Sequence, residues 1–590
     1  MHHKALLCAV NAKFIHSGLA VRYLKSYCES QFVDIDIAEF SINDNIGNIL
    51  KKLYCSEANI FAFSCYIWNI TLIGQICSSL KKAKPEALIL LGGPEVSYNS
   101  AEVLYNNPAV DYIIIGEGEA SLLELLKSIT AASTKLSDVK GIAYRDGGAV
   151  RVNPPRPLIN DLDTIPFPYD KLDGYENKIL YYETSRGCPF NCQYCLSSTI
   201  HGIRFFSMDR VKKDIKYFID AGVKQVKLVD RTFNCDIRRS VEIMNYIMEL
   251  GSDTNFHFEI AADLIDESFL DTVERAPVGM FQFEIGVQST NPETLSEIMR
   301  KMDFIKVSRN VARLVSFGNC HIHLDLIAGL PYEDLKSFEK SFNDVYALRP
   351  DMLQLGFLKL LRGSGMRDRS IDYGMEYHAF PPYEVISTRW LSFAELLELK
   401  DIEHVLEQYH NSGRFRHTLA FLFDTLGIEP YELFRRMACY WNSKGHFEAS
   451  KGMNDIYIIM KQFTAYEFPD SIDSEKLDVL NEYLKLDWLL YSRSGSMPSE
   501  IRRFDHGPIK EQLQDYLKNE LLDEKHFAAF RGMSMRELLK NIGYEVFSRN
   551  IFDCTRYQGE VVMFFPLKSN TAIKKQTFAL VPLEKIIDRL

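Results

Sequence analysis

Over residues 1–135 short apolar runs alternate with stretches whose apolar residues recur at helical spacing. Ala5–Val10, Ile60–Ser64, Ala87–Leu91 and Tyr112–Ile115 read as buried strands, and Ser17–Ser30 and Thr71–Ala83 as amphipathic helices. Strands alternating with helices predict βαβ units and a parallel, doubly wound sheet. Ligands of such sheets bind beyond the carboxyl ends of the strands. The turns expected there are "NAKFIHSG" (11–18), "SCYIWN" (64–69), "GGPEVS" (92–97) and "GEGE" (116–119). Each puts Gly, Ser or Asn after a strand, where backbone can approach a ligand or another backbone closely.

A proline-rich stretch, "VNPPRPLINDLDTIPFPYD" (152–170), breaks the alternation and predicts a linker over 136–175. A strand-like run, Lys178–Thr184, follows. A second series then offers Gln225–Val229, Asn255–Ile260, Phe281–Gly286, His321–Ile327 and Met352–Leu358 as strands with helical stretches between them. Six strands make an incomplete TIM-type (βα)6 barrel over 176–375, whose sites lie at the carboxyl ends of the strands. Beyond residue 376 the chain reads as mostly helical to its end. There "DWLLYSRSGSMP" (487–498) and "SRNIFDCTRYQG" (548–559) mix arginine with aromatics, a composition read as a solvated rim.

A chain of 590 residues with 46% hydrophobic and 25% charged residues is an ordinary globular protein of several domains. No apolar run approaches the ~20 residues needed to span a bilayer, and the short apolar run at the N-terminus reads as a first strand. The net charge of −11 argues against a surface that coats nucleic acid. Twelve scattered cysteines are no secreted disulfide framework, so a reducing cytoplasm is expected.

One cluster of thiols stands apart. "ETSRGCPFNCQYC" (183–195) holds Cys188, Cys192 and Cys195 at C-x3-C-x2-C spacing. A structural zinc site needs four closed ligands, usually from paired C-x2-C motifs. His201 could complete a set, though at unusual spacing. Isolated cysteines such as Cys65, Cys77 and Cys439 read as buried small hydrophobes. Three thiolates that leave one metal position open suit a [4Fe–4S] cube with a free iron.

This spacing, entered from a strand and followed by a loop, resembles the radical S-adenosylmethionine (SAM) superfamily. The resemblance implies that SAM chelates the free iron and that one electron cleaves it to methionine and a 5′-deoxyadenosyl radical. It further implies roles for residues at matching positions. Tyr194 would lie near the adenine. "VDRTFN" occupies the place of the family's glycine-rich turn, so Asp230 or Thr232 would receive the SAM amino group. Glu259 and Gln288 would reach the ribose, and Arg300 the carboxylate. Asp325 lies in the strand whose backbone approaches the adenine. An electron donor such as flavodoxin or ferredoxin is implied as a partner.

A doubly wound Rossmann-like domain ahead of that barrel resembles the cobalamin-binding group of radical SAM enzymes. "GGPEVS" and "GEGE" carry the resemblance. It implies cobalamin over the carboxyl edge of the sheet, near Asn11, Ser64, Gly92, Gly93, Pro94, Gly116, Glu117 and Gly118. The loop "NAKFIHSG" lacks the Asp-x-His-x-x-Gly pattern of cobalt-ligating domains, so His16 reads as a loop histidine rather than a cobalt ligand. The C-terminal part resembles the helical domain of unknown function that trails some of these proteins.

The resemblance implies methylation of an unactivated carbon with cobalamin as methyl carrier. Another radical SAM modification, such as methylthiolation or rearrangement of a nucleoside, tRNA or metabolite, is the second reading. Methylthiolation by the known route needs a second cysteine trio, and the sequence has none. A non-catalytic cobalamin- or metal-binding regulator is the third. Small molecule, peptide and tRNA remain open as substrates.

Overall fold

The computed structural model describes residues 4–29, 31, 34–131, 135–172, 174–200, 202–491, 496–524, 527–553, 558–567 and 578–587. The chain divides into two compact units, Met1–Ser337 with Gly356–Phe393, and Phe338–Leu355 with Ala394–Leu590.

The first unit opens on a seven-stranded sheet. Its strands are β1 (Ala5–Asn11), β2 (Ile35–Ser41), β3 (Ile60–Ser64), β4 (Leu88–Gly92), β5 (Tyr112–Ile114), β6 (Ile142–Asp146) and β7 (Ala149–Val152). They lie in the order β2-β1-β3-β4-β5-β6-β7, the first five parallel and the last two antiparallel. Leu6, Cys8 and Val10 of β1 point to one core, with Phe61, Phe63, Ile89 and Leu91. Ala5, Leu7 and Ala9 point to the other, with Ile60, Ala62 and Leu90. Burial on both faces is why these strands read as unbroken apolar runs.

Two parts of this sheet escape the apolar pattern. β2 carries Asp36 and Glu39, which break its run. β6 and β7 fall inside the expected 136–175 linker. They form a hairpin closed by Gly147 and Gly148, both at positive φ (+57° and +91°), as a tight two-residue connection requires.

The second sheet has the order β15-β14-β13-β12-β11-β8, with β8, β11, β12, β13 and β14 paired in parallel. Its strands are β8 (Leu180–Tyr182), β11 (Gln225–Leu228), β12 (Asn255–Ile260), β13 (Phe281–Gln288), β14 (His321–Ala328) and β15 (Met352–Phe357). Between β8 and β11 lies a ribbon of β9 (Ser185–Cys188) against β10 (Gly202–Phe205). Asp and Ser side chains cap the intervening helices: Ser207 accepts from Arg210 N, Asp236 from Arg239 N and Asp303 from Ile305 N. Phe256, Phe258, Phe281 and Phe283 are fully buried on the two central strands. His257, Glu259, Glu284, His323 and Asp325 occupy the alternate positions, so one face of the sheet is apolar and the other polar.

The second unit is mostly helical, but it also contains a three-stranded antiparallel sheet, Ile542–Phe547, Val561–Pro566 and Ala579–Pro582. Leu513, Leu517 and Leu538 pack with Val546, Val562 and Phe564 of that sheet. The two arginine–aromatic stretches lie partly outside the described residues. Where 487–491 is described it is core rather than rim: Asp487 is fully buried, accepting from Thr418 N (2.8 Å), Thr418 Oγ1 (2.7 Å) and His417 N (3.2 Å), and Leu490 is buried beside it. The helix Ser474–Tyr491 is covered on most of its circumference, which its polar sequence conceals. Among the described residues no helix is long and apolar enough to cross a membrane.

Candidate active site

β9 delivers Cys188 to the mouth of the second sheet. Gly187, one residue earlier, sits at φ +104°, where a Cβ would lie 2.0 Å from the Gly202 carbonyl oxygen. Only glycine lets the two ribbon strands meet there. The loop beyond is pinned at Gln193. Its N–H donates to Ile298 O (3.0 Å), its side-chain amide donates to Glu297 O (2.9 Å), and its carbonyl accepts from Met366 N (2.9 Å). Cys195 N donates to Cys192 O (3.1 Å), so the C-x2-C segment is a turn. Cys188, Cys192 and Cys195 thereby line one cavity of about 180 Å³ with Tyr194, Thr232, Glu259, Gln288, Arg300 and Asp325. The cavity also meets Phe190, Arg231 and Glu284.

Arg300 is the hinge of this arrangement. It donates to Cys192 Sγ (3.7 Å), to Tyr194 Oη (3.1 Å) and to the Gly286 carbonyl. Burial pushes the Cys192 thiol up, and Arg300 opposes that. Thr232 Oγ1 lies 3.6 Å from Cys188 Sγ. Gln288 holds φ +74° at a register shift between β13 and β14, and a Cβ on Gly286 would collide with its amide nitrogen at 2.2 Å. Its Oε1, like Arg300 Nε, is buried without a hydrogen bond. Such atoms ask for a polar ligand.

Beneath them lies a charged layer. Lys227 Nζ reaches Glu284 (2.8 Å) and Glu259 (3.7 Å). His257 Nε2 reaches Glu284 (3.0 Å), and His323 Nε2 reaches Asp325 (2.9 Å). Against a burial penalty, His257 and Lys227 hold Glu284 well below the usual carboxylate range. Burial pushes Glu259 and Asp325 up, opposed by Lys227 and His323 respectively. Two raised carboxylates at strand ends are suited to hydrogen-bonding a ligand's hydroxyl or amino groups.

Of the alternatives Asp230 and Thr232, only Thr232 faces the cavity. Asp230 is 1% exposed, and its carboxylate accepts from Thr184 N (3.0 Å), Thr184 Oγ1 (2.7 Å) and Ser185 Oγ. It fastens the start of the cysteine ribbon to the end of β11. His201 lies outside the described residues. Among the described residues no three His, Cys, Asp or Glu side chains converge on a single ion. The three thiols lining a shared cavity fit a multi-iron cluster instead, and Gln288, Arg300 and Thr232 fit a polar ligand beside it. Cys65 and Cys77 are buried as expected, but Cys439 is exposed on its helix.

At the carboxyl edge of the first sheet, Ser64 and Gly92 end their strands and present little bulk. A Cβ at Gly116 would meet nothing within 4 Å. The other small residues are spent on the protein itself. A Cβ at Gly93 would lie 2.5 Å from Cys65 O, Pro94 starts the short helix Pro94–Ser97, and Gly118 backs onto Leu24. Asn11 Nδ2 donates to His16 O (3.1 Å). The Glu117 carboxylate is held by Arg204 and Arg186. His16 Nδ1 lies 2.7 Å from Tyr181 Oη, and Ile179 N donates to Ile15 O (2.8 Å). The loop 12–18 therefore pads the edge strand β8, and His16 is engaged there. Sequence reasoning passed over Lys227, His257, His323 and Arg186. The signal for Lys227, His257 and His323 was polar residues at period two within otherwise apolar strands.

Three family models match in chain order: a B12 binding domain over residues 6–126, the Radical SAM superfamily over 182–345, and a protein family of unknown function, DUF4080, over 371–564. An uncharacterized methyltransferase of Pyrococcus horikoshii is 26% identical over 57% of this chain and 74% of its own length. The cobalamin-dependent radical SAM methyltransferase TokK of Streptomyces tokunonensis is 28% identical over 48% of this chain and 44% of its own. The 2-(S-pantetheinyl)-carbapenam-3-carboxylate methyltransferase of Streptantibioticus cattleyicolor is 27% identical over 72% and 66%. The chain thus spans under half of one of these relatives and about two thirds to three quarters of the others. The cobalamin-dependent radical SAM enzyme OxsB, solved with aqua-cobalamin and S-adenosylmethionine, superposes with a TM-score of 0.55 at 15% identity, over 91% of this chain and 83% of that one. TsrM from Kitasatospora setae, a radical SAM methyltransferase solved with cobalamin and a [4Fe–4S] cluster, gives 0.54 at 15%, over 65% and 79%.

A doubly wound sheet, a parallel half-barrel and an open three-thiol loop define a radical SAM protein with a B12-binding domain. The chain carries a B12 binding domain, a Radical SAM domain and the DUF4080 domain in that order, and it is similar to cobalamin-dependent radical SAM methyltransferases.

Proposed function

We propose that this chain is a methyltransferase that uses SAM, a [4Fe–4S] cluster on Cys188, Cys192 and Cys195, and cobalamin at the carboxyl edge of the first sheet. When bound, the cluster supplies the electron that cleaves SAM, and cobalamin supplies a methyl carrier. Arg300 sets a fixed positive charge beside Cys192 and holds the Tyr194 ring in the wall. Its guanidinium and the Gln288 amide offer a donor and an acceptor to the methionyl end and ribose of SAM. Burial pushes the Glu259 and Asp325 carboxyls up, and both line the cavity where they can hydrogen-bond the ligand's hydroxyl or amino groups. Phe190 supplies an apolar wall that limits water.

The observation that carries this reading is the convergence of three thiols with Gln288, Arg300, Glu259 and Asp325 on one cavity. The test is anaerobic reconstitution with iron, sulfide and cobalamin, reduction by flavodoxin, ferredoxin or dithionite, and assay with methyl-labelled SAM. 5′-Deoxyadenosine together with label in the cobalamin fraction is the expected result. 5′-Deoxyadenosine without methyl transfer would assign another radical SAM modification, and neither product would leave a binding protein. A small molecule, a peptide or a tRNA is the substrate class that the same label would then be traced into.

A further inference from the structure

The "GEGE" turn ends in two carboxylates that point away from the sheet edge and into the cysteine ribbon. Arg186, two residues before Cys188, donates to Glu119 (2.6 Å) and Glu183 (2.8 Å) and lies 3.4 Å from Glu117. Arg204, its cross-strand partner in the ribbon, grips Glu117 with both terminal nitrogens (2.7 and 3.1 Å) and also donates to Ile159 O (2.6 Å). All five side chains are 14% exposed or less. A forked guanidinium–carboxylate pair in such surroundings fixes orientation as well as distance. Both strands of the ribbon are therefore held by charges from the first sheet's last βα turn, a few residues from an iron ligand. On the β11 side, Asp230 accepts from Thr184 N, Thr184 Oγ1 and Ser185 Oγ, all neutral donors.

We propose that Glu117 and Glu119, with Arg186 and Arg204, form a charge clamp that positions the Cys188 ribbon on the B12-binding domain, rather than contacting cobalamin. The proposal rests on the functional reading above for its consequence, that SAM binding at the cluster depends on carboxylates of the other domain. The clamp itself is a property of the polypeptide alone. Breaking either partner leaves a half-buried charge next to the cluster loop, and reversing both restores the pairing.

The experiment uses the full chain with Glu117→Arg, Arg204→Glu, both together, and the milder Glu117→Gln. Amide hydrogen exchange of residues 185–205 is measured in the protein without cofactors. The reconstituted protein gives the dissociation constant of SAM, from its shift of the reduced-cluster electron-spin signal, and the retained cobalamin, from its absorption. Each single reversal is expected to speed ribbon exchange at least tenfold and weaken SAM at least tenfold, while cobalamin affinity changes less than threefold. The double reversal returns all three to within threefold of wild type. Loss of cobalamin in Glu117→Gln, with ribbon exchange and SAM affinity unchanged, would overturn the clamp and make these glutamates cobalamin contacts. A double reversal as impaired as the two singles combined would also overturn it. A wild type that takes up no cluster would sink the functional reading alone, since the exchange arm still decides the clamp.

Discussion

Replacing Gly187 by alanine isolates what the cluster loop asks of its backbone. At φ +104° a Cβ is strained wherever it points, at a cost of about 1–3 kcal/mol. Here it also points at the Gly202 carbonyl oxygen, 2.0 Å away in backbone that cannot swing aside. The ribbon must separate by about 1 Å, which weakens the ladder of four residue pairs that joins β9 to β10. Each lost hydrogen bond adds roughly 1 kcal/mol. The sum, about 3–5 kcal/mol, exceeds what so short a ribbon can sustain, so Cys188 shifts while the sheets remain folded. Gly222→Ala is the control: it also has positive φ (+67°), but a Cβ there meets nothing within 4 Å. The assay is iron and sulfide per chain after anaerobic reconstitution, the reduced-cluster spin signal with and without SAM, and thermal unfolding of the apoprotein. Gly187→Ala should load less than a quarter of the wild-type iron and lose the SAM response, with the main unfolding transition lowered by only a few degrees. Gly222→Ala should load normally. Full iron with an unaltered SAM response in Gly187→Ala would refute the claim that this approach of the strands sets the position of Cys188.

Three further outcomes are expected. Arg300→Lys keeps the charge but loses the fork that spans Gly286 O, Tyr194 and Cys192, worth about 1.5–3 kcal/mol, so SAM should bind 10- to 100-fold more weakly in a spin-signal titration; an unchanged affinity would remove Arg300 from the site. Burial pushes Glu183 up to about 7 from an ordinary 4.5, so the folded chain holds a proton that the unfolded chain has released. Stability attributable to Glu183 should therefore fall as pH rises from about 4.5 to 7, by at most about 3 kcal/mol, and urea melts of Glu183→Gln should lack that slope. His16→Ala should leave the cobalamin absorption spectrum unchanged while lowering stability by about 1 kcal/mol through the lost Tyr181 contact; a spectral shift would reinstate His16 near the cobalt.

Much of the architecture was legible along the chain because the central strands of the first sheet are parallel and covered on both faces. Strands buried on two faces need unbroken apolar runs, so β1, β3 and β4 show themselves without any tertiary knowledge. The cysteine trio was equally plain, since C-x3-C-x2-C is a local ligand set and local spacing survives folding. What stayed hidden were elements whose sequence character is set by neighbours. β2 and the β6–β7 hairpin lie at sheet edges, where acidic and glycine residues are tolerated. The polar inner face of β11–β14 became meaningful only when pairing brought Lys227, Glu284 and His257 together.

Two neighbouring polar candidates show where the division falls. Asp230 and Thr232 are indistinguishable in sequence as ligand residues after β11, but backbone direction sends one beneath the cysteine ribbon and the other into the cavity. Glu117 and Glu119 likewise follow a strand at a position suited to a ligand, and the structure gives them to Arg204 and Arg186. Spacing and period therefore marked out the apolar strands and singled out the C-x3-C-x2-C loop. Which polar side chains face a ligand and which hold the scaffold was decided only by the tertiary fold. That choice depends on partners 45 to 90 residues away, brought within 3 Å by packing that no local pattern encodes.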